Sequence, residues 1–250
     1  MLDHGSDDGS TDALPVPVRR LARSPLDEVW RVGQVTDAVR GLLRTHDAVF
    51  HSDTDELLVA DPALYPDLRA YAAATPHPVV TAIGLDVQHL PDEEPPLDPH
   101  APFGPQRAWV RFAASMCKPA LVRHPVAWAP GFHSSDAPLV TDRLFLLHMR
   151  YADLGLGLRR LARTRAQAFA SPDVDGHQRV PDAEFEAMVR LIASLPRRGT
   201  DLLPNAPPLD AWLNRLHASR ATREADTYKL DLSLSGDEIW RLPPRFRTAF

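Results

Sequence analysis

The sequence predicts a mixed α/β fold with a C-terminal extension, and three observations support that class. Short apolar runs typical of strands alternate with segments of helical periodicity through about residue 170. Helical segments and loops then continue to residue 250. The composition, 44% hydrophobic and 24% charged residues, is that of a globular protein able to bury a substantial core. This order of elements favours an α/β core followed by a helical or irregular extension.

Strands and helices are predicted from the spacing of the apolar residues. Strands are expected over residues 16–22, 47–53, 77–90, 118–128 (two short strands and a turn) and 142–152. Helices are expected over residues 27–45, 61–74, 154–170, 182–195 and 209–220. The second helix is expected to open at Asp61-Pro62, because Asp favours the N-cap and Pro the first turn. Residues 91–107 are rich in proline and acids and predict a long irregular loop.

Composition excludes several functional classes. The net charge is −5 and the basic residues are scattered, so no nucleic-acid surface is expected. A single cysteine, Cys117, excludes a disulfide framework and favours a reducing compartment. No apolar stretch approaches the roughly 18–20 residues that cross a bilayer, and the polar N-terminus is unlike a secretory signal. We therefore expect a cytoplasmic protein without a transmembrane segment.

An acidic cluster in the stretch "HSDTDELLVADP" (51–62) is the first candidate site. The predicted strand 47–53 ends in this cluster, and because strand side chains alternate faces, Asp53 and Asp55 are expected to point to the same side. Two carboxylates so close repel each other unless one is protonated or a cation bridges them. Mg²⁺ or Mn²⁺ suits such oxygen ligands and leaves positions for substrate phosphates. The alternative is a solvated turn beside a helix cap.

Three segments resemble those of one enzyme family. "DHGSDDGSTD" (3–12) resembles a D-x-G-S-x-D-G-S/T loop, and "FHSDTDELLVADP" (50–62) resembles a D-x-D-E segment. "KPALVRHPVAWAPGFHSSD…LFLLHMRYAD" (118–153) resembles a later region with Lys, G-F-H and L-x-H in that order. In this combination the chain resembles a bacterial subgroup of the family 2-type glycosyltransferases.

The resemblance implies a GT-A-like, Rossmann-like fold in which helices flank a mixed sheet. Residues 1–170 would form the catalytic core and residues 171–250 a C-terminal helical or irregular extension. Members of the family begin with a strand and a helix before the D-x-G-S loop, where this sequence has only Met1 and Leu2. We therefore expect the core to lack that first strand and helix.

Site roles also follow from the resemblance. Asp3 would contact the nucleotide base, Asp53 the ribose or the metal, and Asp55 would be the principal ligand of Mn²⁺ or Mg²⁺. His148 is the first choice for a further metal ligand and His133 the second. For each histidine the alternative is an ordinary core or loop residue.

Further roles complete the implied chemistry, which moves a sugar from a nucleotide-diphosphate donor to an acceptor hydroxyl. Lys118 would approach the diphosphate as a point charge; the alternative is an exposed lysine before a strand. Asp136, after the G-F-H turn, is the candidate catalytic base of an inverting reaction, and a surface loop aspartate is the alternative. Glu56 is expected to cap or orient. The acceptor class (carbohydrate, lipid or protein) stays open.

Three other functions are compatible with the same residues. The chain could be a non-catalytic remnant of such an enzyme, without donor affinity. It could be a metal-dependent phosphate hydrolase that uses Asp53 and Asp55 directly. It could also be an interaction module built on the basic helix 154–170, although arginines there are also what a solvated helix face carries.

Overall fold

The computed structural model describes residues 1–169, 179–219, 223–224, 227–228 and 230–249. Its strands are β1 (Leu2–Asp3), β2 (Arg19–Arg20), β3 (Val49–Phe50), β4 (Glu56–Ala60), β5 (Val79–Gln88), β6 (Trp109–Phe112), β7 (Pro119–Val122), β8 (Thr141–Tyr151), β9 (Arg197–Gly199), β10 (Arg223–Glu224), β11 (Thr227–Tyr228) and β12 (Ile239–Arg241). Its α-helices are α1 (Glu28–Leu42), α2 (Leu68–Ala74), α3 (Phe103–Gln106), α4 (Leu154–Arg165), α5 (Asp182–Ala193), α6 (Leu209–Ser219) and α7 (Pro244–Arg247).

A mixed sheet of eight strands, mainly antiparallel, forms the centre of the fold. Strand β5 pairs in parallel with β8, and β8 pairs with the outer strand β4. On its other side, β5 pairs with β7 through its first half and with β6 through its second half. The sheet continues from β7 to β3, and from β6 through β12 to β9. The observed class is therefore mixed α/β, with helices flanking the sheet.

The centre of this sheet is buried on both faces. Every residue of β5 is buried, as a nearly continuous apolar strand requires. Residues Leu144–Leu147 of β8 are equally inaccessible to solvent. At Gly84 of β5 a Cβ atom would lie 2.4 Å from the backbone of Met116, so only glycine lets the neighbouring 3₁₀ turn approach so closely. The rigid centre fixes the positions of the loops at its ends.

The C-terminal part of the chain contributes to the same sheet and core. Strand β12 pairs with β6, and Trp240 within it is fully buried. Leu213 and Leu216 of α6 pack in one cluster with Phe112 of β6. The C-terminal extension was expected to be helical or irregular, but it also contributes strands β9 and β12 to the main sheet. The expected boundary at residue 170 adjoins residues 170–178, which lie outside the described residues, and it stays a prediction.

Four of the predicted helices are confirmed. They are α1, α4, α5 and α6, and the last residues of predicted helices 154–170 and 209–220 lie outside the described residues. Asp27 caps α1 by accepting a hydrogen bond from the Trp30 amide at 3.0 Å. The apolar spacing alone was enough to predict this helix.

The predicted start of the helix at Asp61 is wrong. The helix begins six residues after the predicted Pro62, at Leu68, and its N-cap is Asp67. Pro66 explains the shift, because a proline disfavours helical backbone at the residue before it. Asp61 is instead buried, and its carboxylate pairs with Arg143 at 3.1 Å and Arg245 at 2.7 Å.

Of the eight strands in the main sheet, β3, β5, β7 and β8 coincide with predicted strands, whereas β4, β6, β9 and β12 were not predicted. Strands β5 and β8 lie where they were expected, and β2 is a two-residue part of 16–22. The second strand expected within 118–128 is wrong, since only a single bridge, between Trp128 and Ser135, forms there. Residues 91–107 are irregular apart from α3, as expected. No helix within the described residues is both long and apolar enough to span a membrane.

Candidate functional site

Loop 51–55 connects β3 to β4 and carries the two aspartates of the acidic cluster. The strand predicted over residues 47–53 is present only as β3, which ends at Phe50, and the next strand begins at Glu56. The expectation that strand geometry points Asp53 and Asp55 to the same side is therefore wrong. As a result, Asp53 and Asp55 do not share one partner. Asp53 faces Lys118 and Arg31, whereas Asp55 faces His148 and the helix α4.

Lys118 neutralises the first half of the cluster. Its Nζ donates to Asp53 Oδ2 at 3.1 Å and also to Glu56 Oε1, and the side chain is 7% exposed. Arg31 of α1 donates to the same Asp53 oxygen at 3.3 Å. Burial alone would lower the pKa of Lys118, but Asp53 and Glu56 raise it above its ordinary value. Lys118 is thus a buried, charged partner of two carboxylates, and the alternative of an exposed lysine is wrong.

Glu56 orients the loop, as expected from the sequence. Its Oε2 accepts a hydrogen bond from the Asp53 amide at 2.9 Å, while its other oxygen accepts from Lys118. Burial alone would raise the pKa of Asp53, but Lys118 and Arg31 lower it below its ordinary value. The conformation of loop 51–55 is therefore fixed by hydrogen bonds to both the backbone and the carboxylate of Asp53.

His148 lies between Asp55 and a carboxylate that the sequence analysis missed. Its Nδ1 is 2.7 Å from Asp86 Oδ1, and its Nε2 is 3.5 Å from Asp55 Oδ2. Strand pairing explains this arrangement, because His148 of β8 lies opposite Asp86 of β5 and Glu56 of β4. A carboxylate within the buried run "AIGLDVQ" was the signal for Asp86, since a buried charge needs a partner.

The two acids set the charge of this histidine. Burial alone would lower the pKa of His148, but Asp55 and Asp86 raise it to about 9. Burial alone would raise the pKa of Asp55, but His148 and Arg160 lower it to about 2. At neutral pH the imidazole is therefore protonated and the Asp55 carboxylate is ionised.

Helix α4 brings two arginines to the motif segments. Arg160 Nη1 lies 3.9 Å from Asp55 Oδ2, and its side chain is 29% exposed. Arg163 Nη1 lies 3.9 Å from Asp8 Oδ2, in the N-terminal loop 3–12. Residues three apart share one face of a helix, so both contacts lie on the same side of α4. The basic residues of this helix are therefore not all solvated.

Asp3 ends β1, which pairs with β2 in a separate two-stranded sheet. The residue is 4% exposed, and its Oδ1 accepts a hydrogen bond from the Ser6 amide at 3.0 Å. Ser6 also keeps the pKa of Asp3 below its ordinary value. The second oxygen, Oδ2, is buried and has no hydrogen-bond partner among the described residues.

Two predicted site residues lie in other surroundings. His133 lines a cavity with Cys117, Ser135 and Tyr228 and is not grouped with Asp55. Asp136 is exposed, and its carboxylate accepts a hydrogen bond from the Ala127 amide at 2.9 Å. Within the described residues, none of its hydrogen bonds leads to loop 51–55. The proposed roles of both residues stay predictions that depend on motif order.

A divalent ion fits this site only if substrate phosphates and water complete its coordination. Within the described ranges, no group of three or more His, Cys, Asp or Glu side chains could hold a metal ion. Asp55 and His148 do present an oxygen and a nitrogen 3.5 Å apart, on a ring oriented by Asp86. A carboxylate that orients a ligating histidine is a usual feature of metal sites. Mg²⁺ typically takes only one or two protein carboxylates, with substrate phosphates and water as the remaining ligands.

Comparison of the chain with protein-family models, curated proteins and solved structures finds no match. A function for the site is therefore inferred from its residues and their geometry.

Proposed function

We propose that this chain transfers a sugar from a nucleotide-diphosphate donor to an acceptor hydroxyl, at a GT-A-like site around loop 51–55. One observation carries the proposal: two motif segments far apart in sequence meet at one face of α4. Asp55 faces Arg160 there, and Asp8 faces Arg163 one turn later. A donor that extends from its base to its diphosphate needs base-binding and phosphate-binding segments side by side.

The base would lie at Asp3. Its buried Oδ2 has no hydrogen-bond partner among the described residues, although a buried carboxylate oxygen is rarely left so. An N–H group of a nucleotide base supplies the missing donor. The fixed position of the other oxygen, on the Ser6 amide, orients the carboxylate for that contact.

The diphosphate would lie at Asp55 and His148, and these two residues would hold Mn²⁺ or Mg²⁺, with the ion displacing the proton from His148 Nε2. When bound, the ion supplies positive charge that stabilises the leaving diphosphate and orients the donor. Asp86 keeps the His148 ring in place through the bond at Nδ1. Lys118 and Glu56 hold Asp53, at the other side of the loop, where it can reach the ribose.

The reaction exchanges one bond at the anomeric carbon for another. The bond from that carbon to the diphosphate oxygen breaks, a bond to the acceptor oxygen forms, and the acceptor proton passes to a base. The nucleoside diphosphate leaves with the bonding electron pair. Asp136 is the base predicted from motif order, and it would have to exchange its bond with the Ala127 amide for one with the acceptor.

Calorimetric titration with uridine or guanosine diphosphate, with Mn²⁺ or with EDTA, tests this proposal. We expect Mn²⁺ to tighten nucleotide binding relative to EDTA, and Asp55→Asn to remove that gain. The matched control is Asp47→Asn, which removes an exposed acid just before β3. Binding that is equal in the two variants would reject the site.

A second assay follows the sugar. With a panel of uridine and guanosine diphosphate sugars, a transferase is expected to release nucleoside diphosphate rapidly when an acceptor is added. Without an acceptor, the release is expected to be slow, because water is then the acceptor. Release of inorganic phosphate without an acceptor would instead indicate a hydrolase. Absence of nucleotide binding by the wild-type chain would indicate a non-catalytic remnant.

A further inference from the structure

Arg160, whose side chain is 29% exposed, has two buried nitrogen atoms with unused hydrogen-bonding capacity. Its Nε and Nη2 atoms are inaccessible to solvent and have no hydrogen-bond partner within the part of the chain that the structure describes. Its Nη1 is 3.9 Å from Asp55, too far for a direct hydrogen bond. A buried charged donor without an acceptor is rare in proteins, and it indicates that an acceptor from outside the chain belongs there.

A second guanidinium lies close to the first. Arg150 follows His148 by two residues on β8, and it is 9% exposed. Burial lowers the pKa of Arg160, and repulsion by Arg150 lowers it further, with Asp55 and Tyr151 acting in the opposite direction. Repulsion between these two like charges favours an anion beside Arg160.

The carboxylates near Arg160 are already engaged with His148. Asp55 and Asp86 lie on either side of the His148 ring, and Arg160 approaches the Asp55 carboxylate no closer than 3.9 Å. Asp86 bonds His148 and is on the far side of the ring from Asp55. The planar fork of an arginine matches the geometry of phosphate oxygens, which take two parallel hydrogen bonds.

We propose that Arg160, with Arg150 beside it, binds the diphosphate of the donor and gives the site affinity for that anion even without a divalent ion. This inference rests on the proposed function for its ligand, a nucleoside diphosphate. It assigns to α4 a part in substrate binding that neither the motifs nor the acidic cluster indicate. Arg160 thereby also places positive charge where the leaving group becomes negative.

Calorimetric titration with inorganic pyrophosphate in EDTA tests the inference apart from any metal. The wild-type chain is expected to bind, and Arg160→Gln to bind at least about tenfold more weakly, as loss of a charge-assisted contact implies. Arg160→Lys keeps the charge without the fork and is expected to fall between. The matched control, Arg159→Gln, removes an exposed arginine from the adjacent position and is expected to stay within about twofold.

The effect of Asp55→Asn on pyrophosphate binding is expected to reverse between EDTA and Mn²⁺. In EDTA, Asp55→Asn removes a negative charge next to the anion and is expected to tighten pyrophosphate binding, whereas with Mn²⁺ the same change is expected to weaken it. Thermal unfolding of each variant shows whether it is folded.

The outcomes separate this inference from the proposed function. Equal pyrophosphate binding by Arg160→Gln and Arg159→Gln, or no binding by the wild-type chain, would overturn the inference. If Mn²⁺-dependent nucleotide binding persists in that case, the proposed function stands without it. If pyrophosphate binds through Arg160 but no nucleoside diphosphate binds with Mn²⁺, the anion site is supported and the glycosyltransferase proposal is rejected.

Discussion

Replacing Lys118 by methionine removes the buried cation that neutralises Glu56 and Asp53. Methionine has nearly the same length, so packing changes little and the loss of charge dominates. The Glu56 side chain is only 2% exposed and would be left as an unpaired buried carboxylate. Asp53, with a side chain 24% exposed, would keep its bond to Arg31 at 3.3 Å.

The magnitude follows from these exposures. Breaking a buried ion pair by removing one partner destabilises a protein by about 3–5 kcal/mol. Because Asp53 is partly solvated and keeps one cation, we expect the lower end of that range, about 3 kcal/mol. Converting Glu56 to glutamine in the same chain removes the unpaired charge and is expected to restore about 2 kcal/mol.

Urea unfolding at neutral pH of the wild-type chain, both single variants and the double variant measures this coupling. Arg197→Met is the control, since the Arg197–Glu93 pair is exposed (39% and 52%) and should contribute less than about 1 kcal/mol. A Lys118→Met variant as stable as that control, or a double variant no better than the single one, would refute the reasoning.

Three further predictions concern single side chains. Burial lowers the pKa of His51 to about 4, so between pH 6.5 and 4 the unfolded chain binds a proton that the folded chain does not. The free energy of unfolding should therefore fall by up to about 3 kcal/mol as the pH drops from above 6.5 towards 4. His51→Asn should flatten this pH dependence in urea unfolding, and an unchanged pH dependence would contradict the assignment. Burial raises the pKa of the Cys117 thiol to about 12, so a disulfide reagent should modify it only after unfolding, and rapid reaction of the native chain would count against this burial. Asp86→Asn should weaken Mn²⁺-dependent nucleotide binding by about 10–100-fold, because the substitution releases the His148 ring although Asp86 itself does not bind the metal ion. Unaltered affinity would mean that Asp86 does not orient His148.

Local signals in the sequence were enough to predict four of the helices and the strands β5, β7 and β8. Asp27 and Asp153 each cap the helix that follows them, and the cap residue and the apolar spacing lie within a few residues of each other. The start of α2 was misplaced because two Asp residues, Asp61 and Asp67, each offered a cap, and only the effect of Pro66 on the backbone decides between them.

The partners of the acidic cluster could be predicted only in part. Lys118 and His148 were identified through the motifs, but their pairing with Glu56 and Asp86 joins residues 62 positions apart in each case. Such pairs are set by strand register, which the sequence does not show directly. Arg160 could not be distinguished from Arg159 by residue type, because only the packing of α4 decides which arginine faces the loop.

The central claim is that Asp55 and His148 together hold a divalent ion at the diphosphate of a nucleotide. A crystal of the full chain grown with Mn²⁺ and uridine or guanosine diphosphate, measured for the anomalous scattering of manganese, tests it most directly. We predict a manganese peak within coordination distance of the Asp55 carboxylate and His148 Nε2, with the nucleotide diphosphate as a further ligand. A bound nucleotide with the manganese peak elsewhere, or with His148 still paired to Asp55, would contradict the claim.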